Sequence, residues 1–138
     1  MTDGTEAPDP RGEGPTPGPF SALLGFRYVS IDDAEAVVEA DPGLQHCNGG
    51  GIVHGGFLAS LLDTATGWAV HAGVSDGTRA PHVHLSVQYV RAAVPGSTLV
   101  CRAHRVSVGG RIGSTEAEIT QLGRVVARAI GTHAVLSR

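Results

Sequence analysis

The sequence predicts an α+β domain in which a curled antiparallel sheet of five to six strands wraps around one central helix. Three observations lead there. Between Phe57 and Ala72, apolar residues recur at three- and four-residue steps, the period of a helix with one buried stripe. Beyond residue 80 the pattern changes to alternation, in segments separated by Pro95-Gly96, Gly109-Gly110 and Leu122-Gly123. A single long helix among short, turn-linked strands has one place to bury its stripe, the concave face of the sheet.

The chain has 138 residues, the length of one domain. Residues 1–19 hold most of the prolines and almost nothing large and apolar, so a disordered tail is expected there, with the domain itself spanning 20–138. Phe20 to Leu24 suits a short turn of helix closed by Gly25. Phe26, Tyr28 and Ser30 alternate with Arg27 and Val29 as a first strand, and Ala36 to Ala40 forms a second after an Asp32-Asp33 turn. Asp41-Pro42-Gly43 ends that strand, and a loop through Asn48 feeds the long helix, which runs out at Gly73. In the next strand Val83, Leu85, Val87 and Tyr89 face one side, and His82, His84, Ser86 and Gln88 the other. Strands over 99–108, 112–120 and 125–136 follow in hairpin succession.

All ten basic residues are arginine, set against thirteen acidic ones, so the chain lacks the basic face of a nucleic-acid binder. Arginine still suits a phosphorylated ligand. Arg79, Arg91, Arg105 and Arg111 are the candidates, Arg111 beside the Gly109-Gly110 hairpin being preferred; a solvated strand edge is the alternative for each. No stretch approaches the roughly 20 apolar residues of a membrane helix, and no secretory pattern opens the chain. Cys47 and Cys101 are too few for a disulfide framework, and a cytoplasmic setting is expected. Cys47 has no base near it in sequence to make it a nucleophile. By strict alternation His82 and His84 share a strand face, as a metal-chelating pair would, yet no third ligand suggests itself and no metal is expected.

The chemistry concentrates in Asn48-Gly49-Gly50-Gly51-Ile52-Val53-His54-Gly55-Gly56 and in Asp63, the only acid between Asp41 and Asp76. A glycine cluster opening a helix leaves backbone N–H groups free at a positive helix end, and a carboxylate two turns on can face the same space. Attack on a thioester carbonyl gathers negative charge on its oxygen, where one preset donor is worth about 3 kcal/mol. Gly55 and Gly56 are the candidate donors. Glycine suits both because a side chain would hold the substrate off the backbone, and because the turn into the helix can require positive φ. Asp63 is the candidate base or nucleophile. Gly56, Ser60, Asp63 and Gly67 make a narrow face of small residues that admits either another backbone or a slim substrate arm. The competing interpretation is a solvated surface acid, with glycines that only shape a turn.

The run Gly51-Ile52-Val53-His54-Gly55-Gly56, followed by Leu61-Leu62-Asp63-Thr64-Ala65, resembles the hotdog-fold acyl-CoA thioesterases of the phenylacetic-acid-degradation (PaaI-like) type. The likeness extends from Phe20 to Leu136, through Tyr89-Val90-Arg91, Pro95-Gly96 and Gly131-Thr132-His133-Ala134-Val135. It implies a hotdog fold, a homodimer whose sheets join edge to edge, a further pairing into a dimer of dimers, and active sites built from two subunits. It implies no cofactor beyond the coenzyme A of the substrate. By position, the Gly55 N–H polarises the thioester carbonyl, Asp63 of the opposite subunit activates water or attacks directly, Asn48 holds the thioester or the water, and His54 orders the loop. Gly56, Phe57, His82 and Arg111 are the expected substrate contacts. The sequence departs from the family at His82, where several relatives place a Ser or Thr that steers the lytic water. An acyl-carrier thioester could replace acyl-CoA. Two competing functions are a dehydratase or hydratase of the same fold, whose histidine and acid pattern differs, and a non-catalytic acyl-CoA-binding module, which would not need Asp63.

Overall fold

The structure, a computed structural model, describes residues 18–32 and 35–137. The tail expected over 1–19 lies outside the described residues except for Gly18 and Pro19, as does Asp33 of the expected turn. A single turn, α1 (Pro19–Leu23), starts with proline at its first position and closes at Gly25, whose φ is 73°. Strands β1 (Arg27–Ile31) and β2 (Glu35–Ala40), a 3-10 turn (Leu44–His46) and the long helix α2 (Gly55–His71) follow. The chain then forms β3 (His82–Tyr89), β4 (Leu99–Val108), β5 (Ile112–Gln121) and β6 (Arg124–Ala134).

All six strands join one antiparallel sheet in the order β1-β2-β4-β5-β6-β3. The β5–β6 connection places Leu122 and Gly123 at φ 52° and 75°, a two-residue turn whose twist matches that of the strands it joins. Helix α2 carries the chain from β2 across the sheet to β3, packing on β4, β5, β2, β6 and β3 as it goes, so β1 and β3 become the two edges. Leu61 and Leu62 are fully buried against Val38, Leu99, Ile119 and Val126. Each such leucine contributes about 1.5–3 kcal/mol by leaving water.

Two features differ from strict periodicity. The buried stripe of α2 takes in Thr66 and Val70, whereas Trp68 is half-buried, stacked on Tyr28 at 4.9 Å, and Ala72 is exposed. In β3, His82 pairs with His133 and His84 with Thr132, so Val83 is an extra residue in a bulge. The bulge reverses the faces ahead of it. Leu85 and Val87 pack on the core as alternation predicts, but Val83 is 60% exposed, and His82 turns in toward α2. His84 stays exposed, so the two histidines do not form the expected same-face pair.

Candidate active site

The loop before α2 is held by its own backbone. The Asn48 N–H donates to Ile52 O at 2.8 Å, the Gly51 N–H to Asn48 O at 3.0 Å, and the Gly50 N–H to Asn48 Oδ1 at 2.8 Å. Within the glycine cluster positive φ occurs at Gly51, at 82°, and not at Gly55 or Gly56. Val53 and His54 then tie the loop down, donating to Ala93 O at 2.9 Å and His46 O at 2.8 Å.

His54 caps the helix. Its Nδ1 accepts the Gly56 N–H at 2.8 Å, and its carbonyl accepts those of Phe57 at 3.0 Å and Leu58 at 3.4 Å. Of the first-turn donors the Gly55 N–H is left, with no acceptor among the described residues. The two glycines therefore separate: Gly56 spends its N–H on His54, and Gly55 alone can offer one to a ligand. Because His54 Nδ1 accepts, its ring proton sits on Nε2. Close packing, rather than positive φ, explains both glycines. A Cβ on Gly55 would come within 3.2 Å of the Tyr89 ring, and one on Gly56 within 2.9 Å of His54 Nδ1. Tyr89 Oη donates to Gly55 O at 3.0 Å, which locks the helix start to the end of β3.

Asp63 lies two turns further on with its side chain 56% exposed. It opens into a groove of about 370 Å³ lined by Phe20, Ala59, Ser60, Thr64 and Leu85. A second groove, of about 300 Å³, runs past Phe20, Leu24, His54, Gly56, Phe57 and Ser60. Phe20 and Ser60 line both, so the two adjoin along the face of α2 that carries Gly56, Ser60 and Asp63. Phe57 forms the floor rather than an exposed contact, packed edge-on against Phe26 at 5.4 Å and beside His46 at 4.4 Å. Eight helical steps separate Gly55 from Asp63, about 12 Å of rise, so one chain does not bring them together.

Behind Asp63 is a polar cluster that the alternation of β3 hid. His82 Nδ1 lies 3.5 Å from Asp63 Oδ2, its Nε2 lies 2.7 Å from Thr66 Oγ1, and its ring packs at 4.2 Å on that of His133. His133 is fully buried between Thr115 Oγ1, 2.7 Å from Nε2, and Ala80 O, 3.2 Å from Nδ1. Burial, with His82 adding to it, brings the His133 pKa down to about 4. Burial likewise lowers that of His82, outweighing the charge of Asp63, which pulls it up.

Among the arginines, Arg105 donates to Ala69 O at 3.0 Å and Arg91 to Val125 O at 2.9 Å. Arg111 is exposed at the β4–β5 hairpin, at the end of the sheet that carries His82 and away from Gly55. Cys101 is fully buried, which pushes its thiol pKa up, and Cys47 Sγ contacts Gly43 O at 3.6 Å. Among the described residues no three His, Cys, Asp or Glu side chains are grouped to hold a metal ion, and no helix is long and apolar enough to cross a membrane. Sequence reasoning passed over Phe20, Thr66 and His133. The helical spacing of Thr66, three residues after Asp63, was the available signal for the second; the other two depend on tertiary packing.

The family described as the thioesterase superfamily matches residues 50–127. The acyl-coenzyme A thioesterase PaaI of Escherichia coli is 33% identical over 96 residues, covering 70% of this chain and 66% of that protein. The solved structure of E. coli PaaI, from the phenylacetic acid degradation operon, superposes with a TM-score of 0.80 at 28% identity, over 86% of this chain and 84% of that one. Acyl-coenzyme A thioesterase 13 of Homo sapiens is 26% identical over 112 residues, 79% of each chain. A conserved protein of Pseudomonas aeruginosa gives a TM-score of 0.82 at 32% identity, over 86% of this chain and 94% of that one.

Proposed function

The chain belongs to the thioesterase superfamily and is a thioester hydrolase, and from that premise we propose that it hydrolyses acyl-CoA in a site shared by two copies of the chain. Gly55 of one copy supplies the oxyanion donor and Asp63 of the other activates the water or attacks. One observation carries this reading: at the start of α2 every neighbouring N–H has an acceptor, and that of Gly55 has none among the described residues. A donor fixed beforehand at a positive helix end stabilises the charge that develops on the carbonyl oxygen without reorganisation. The exposed Asp63 carboxylate lies too far along the same helix to reach that oxygen, so the partner's carboxylate fills the role. As the C–O bond forms and the C–S bond breaks, the proton of water passes through the carboxylate to the leaving sulfur.

The free edge of β3 supports the pairing. It carries Val83 and Tyr89, 60% and 55% exposed, and no Lys, Arg, Asp, Glu or Pro to discourage strand addition. Joining two such edges gives the homodimer, and a second pairing gives the dimer of dimers. The Asn48 amide, anchored through Oδ1, keeps its Nδ2 group to hold the thioester or water, while His54 fixes the loop. The groove past Phe20, Leu24 and Phe57 is apolar and suits an aryl or medium-chain acyl group. Exposed Arg111 is the candidate partner for the phosphates of the nucleotide.

The test is Asp63→Asn assayed by thiol release across a panel of aryl and aliphatic acyl-CoAs. A fall in kcat of about 10²–10⁴ with unchanged circular dichroism is expected. Turnover at the wild-type rate would refute the assignment.

A further inference from the structure

Hydrogen-bond partners allow the protons of the histidine cluster to be assigned one at a time, and one acceptor is left over. Thr66 Oγ1 lies 2.8 Å from Leu62 O and 3.2 Å from Asp63 O; assigning its hydrogen to the helix backbone makes its oxygen the acceptor of His82 Nε2–H, 2.7 Å away. His133 must carry its proton on Nδ1, facing Ala80 O, and accept from the Thr115 hydroxyl through Nε2. His71 donates from Nδ1 to Gly67 O at 2.8 Å and accepts the Ala80 N–H at Nε2, 3.3 Å away. With these assignments each ring nitrogen has a partner except His82 Nδ1, whose lone pair faces Asp63 Oδ2 across 3.5 Å. Two lone pairs face each other there. That separation is longer than a formed hydrogen bond and leaves room for the pair to close on a proton.

Resting on the reading of Asp63 given above, we propose that His82 is the proton partner of Asp63 and acts through it. The proton that the carboxylate draws from the attacking water is shared with His82 Nδ1, then returned to the sulfur as the C–S bond breaks. Water thus loses an O–H bond, the acyl carbon exchanges sulfur for oxygen, and the thiol gains the proton, with no other reactant. The groups that titrate around His82 are Asp63 and His71 from α2 and His133 from β6, while β5 contributes only the uncharged Thr115 hydroxyl behind His133. Burial first, and then the His71 imidazole, lower the pKa of His82 against the pull of Asp63, which favours the neutral ring that can accept. The bulge at Val83 makes the contact possible by turning His82 from the outer face of β3 toward α2.

Full pH–rate profiles of His82→Gln and His82→Ser test this. Glutamine keeps a donor toward Thr66 but has no acceptor at the Nδ1 position, and serine is a residue that the family resemblance places on this strand. A pair that shares one proton takes it up at a higher pH than either member alone, so the acid limb of kcat should move down by about one pH unit or more in both variants. Their kcat at neutral pH should fall about 10–100-fold, with KM within about threefold of wild type. An acid limb that stays in place, whatever the rate, overturns the proposal. Full activity in Asp63→Asn would bring down the site assignment and this proposal together; an inactive Asp63→Asn beside unmoved limbs in the His82 variants brings down this proposal alone.

Discussion

At the scale of the residue, Gly55 is separated from Gly56 by the imidazole between them. Both look like equal donors in a glycine pair, and only the placement of His54 Nδ1 on the Gly56 N–H decides which stays free. Proline offers a clean test, because Gly55 is the first helical residue and His54 before it has the extended backbone, φ −59° and ψ 137°, that a following proline requires. Gly55→Pro and Gly55→Ala both add a Cβ against the Tyr89 ring, but proline deletes the N–H and alanine keeps it. The expected kcat for proline is about 10²–10³-fold below that for alanine, the worth of one oxyanion donor. Equal rates for the two would show that the N–H does no work in the reaction.

At the scale of the element, the bulge in β3 decides what stands behind Asp63. It brings His82 and His133 into ring contact beneath α2, and His133 is buried there as a neutral imidazole with its pKa at about 4 against the ordinary 6.5. Between those values the unfolded chain holds a proton that the folded chain lacks, so stability is full above the ordinary value and drains away as pH falls toward 4. From about pH 7.5 to about pH 5 the loss assigned to His133 is about 2 kcal/mol, and His82, lowered in the same direction, adds to it. Urea unfolding at one fixed protein concentration, at both pH values, should show that loss in the wild type and a smaller one in His133→Gln. An equal pH dependence in the two proteins would assign the effect elsewhere. The bulge also marks the limit of what the sequence discloses. The period of α2, the hairpin turns and the Val-His-Gly-Gly helix start are local patterns that backbone geometry enforces, and they are legible. An extra residue in β3 leaves no local mark, because Val83 continues the alternation with Leu85 and Val87; it emerges only from the pairing with β6. Thr66 and His133 read as polar positions and are buried because they satisfy each other's neighbours, which is a property of three elements at once.

At the scale of the whole molecule, the long helix creates a problem that one chain does not solve. It carries the free N–H at its start and the carboxylate in its middle, about 12 Å apart along a rigid rod, so a single copy cannot place both on one carbonyl. The exposed edge of β3, with its uncharged, partly apolar face, offers the surface through which a second copy can supply the missing half. The direct measurement is intersubunit complementation. Chains carrying Gly55→Pro and Asp63→Asn, each inactive by itself, are co-expressed with different affinity tags, and the mixed dimer is purified through both. In each mixed dimer one of the two sites then joins an intact Gly55 to an intact Asp63, so up to about half the wild-type activity should return. Activity no higher than that of the separate variants would contradict the shared site.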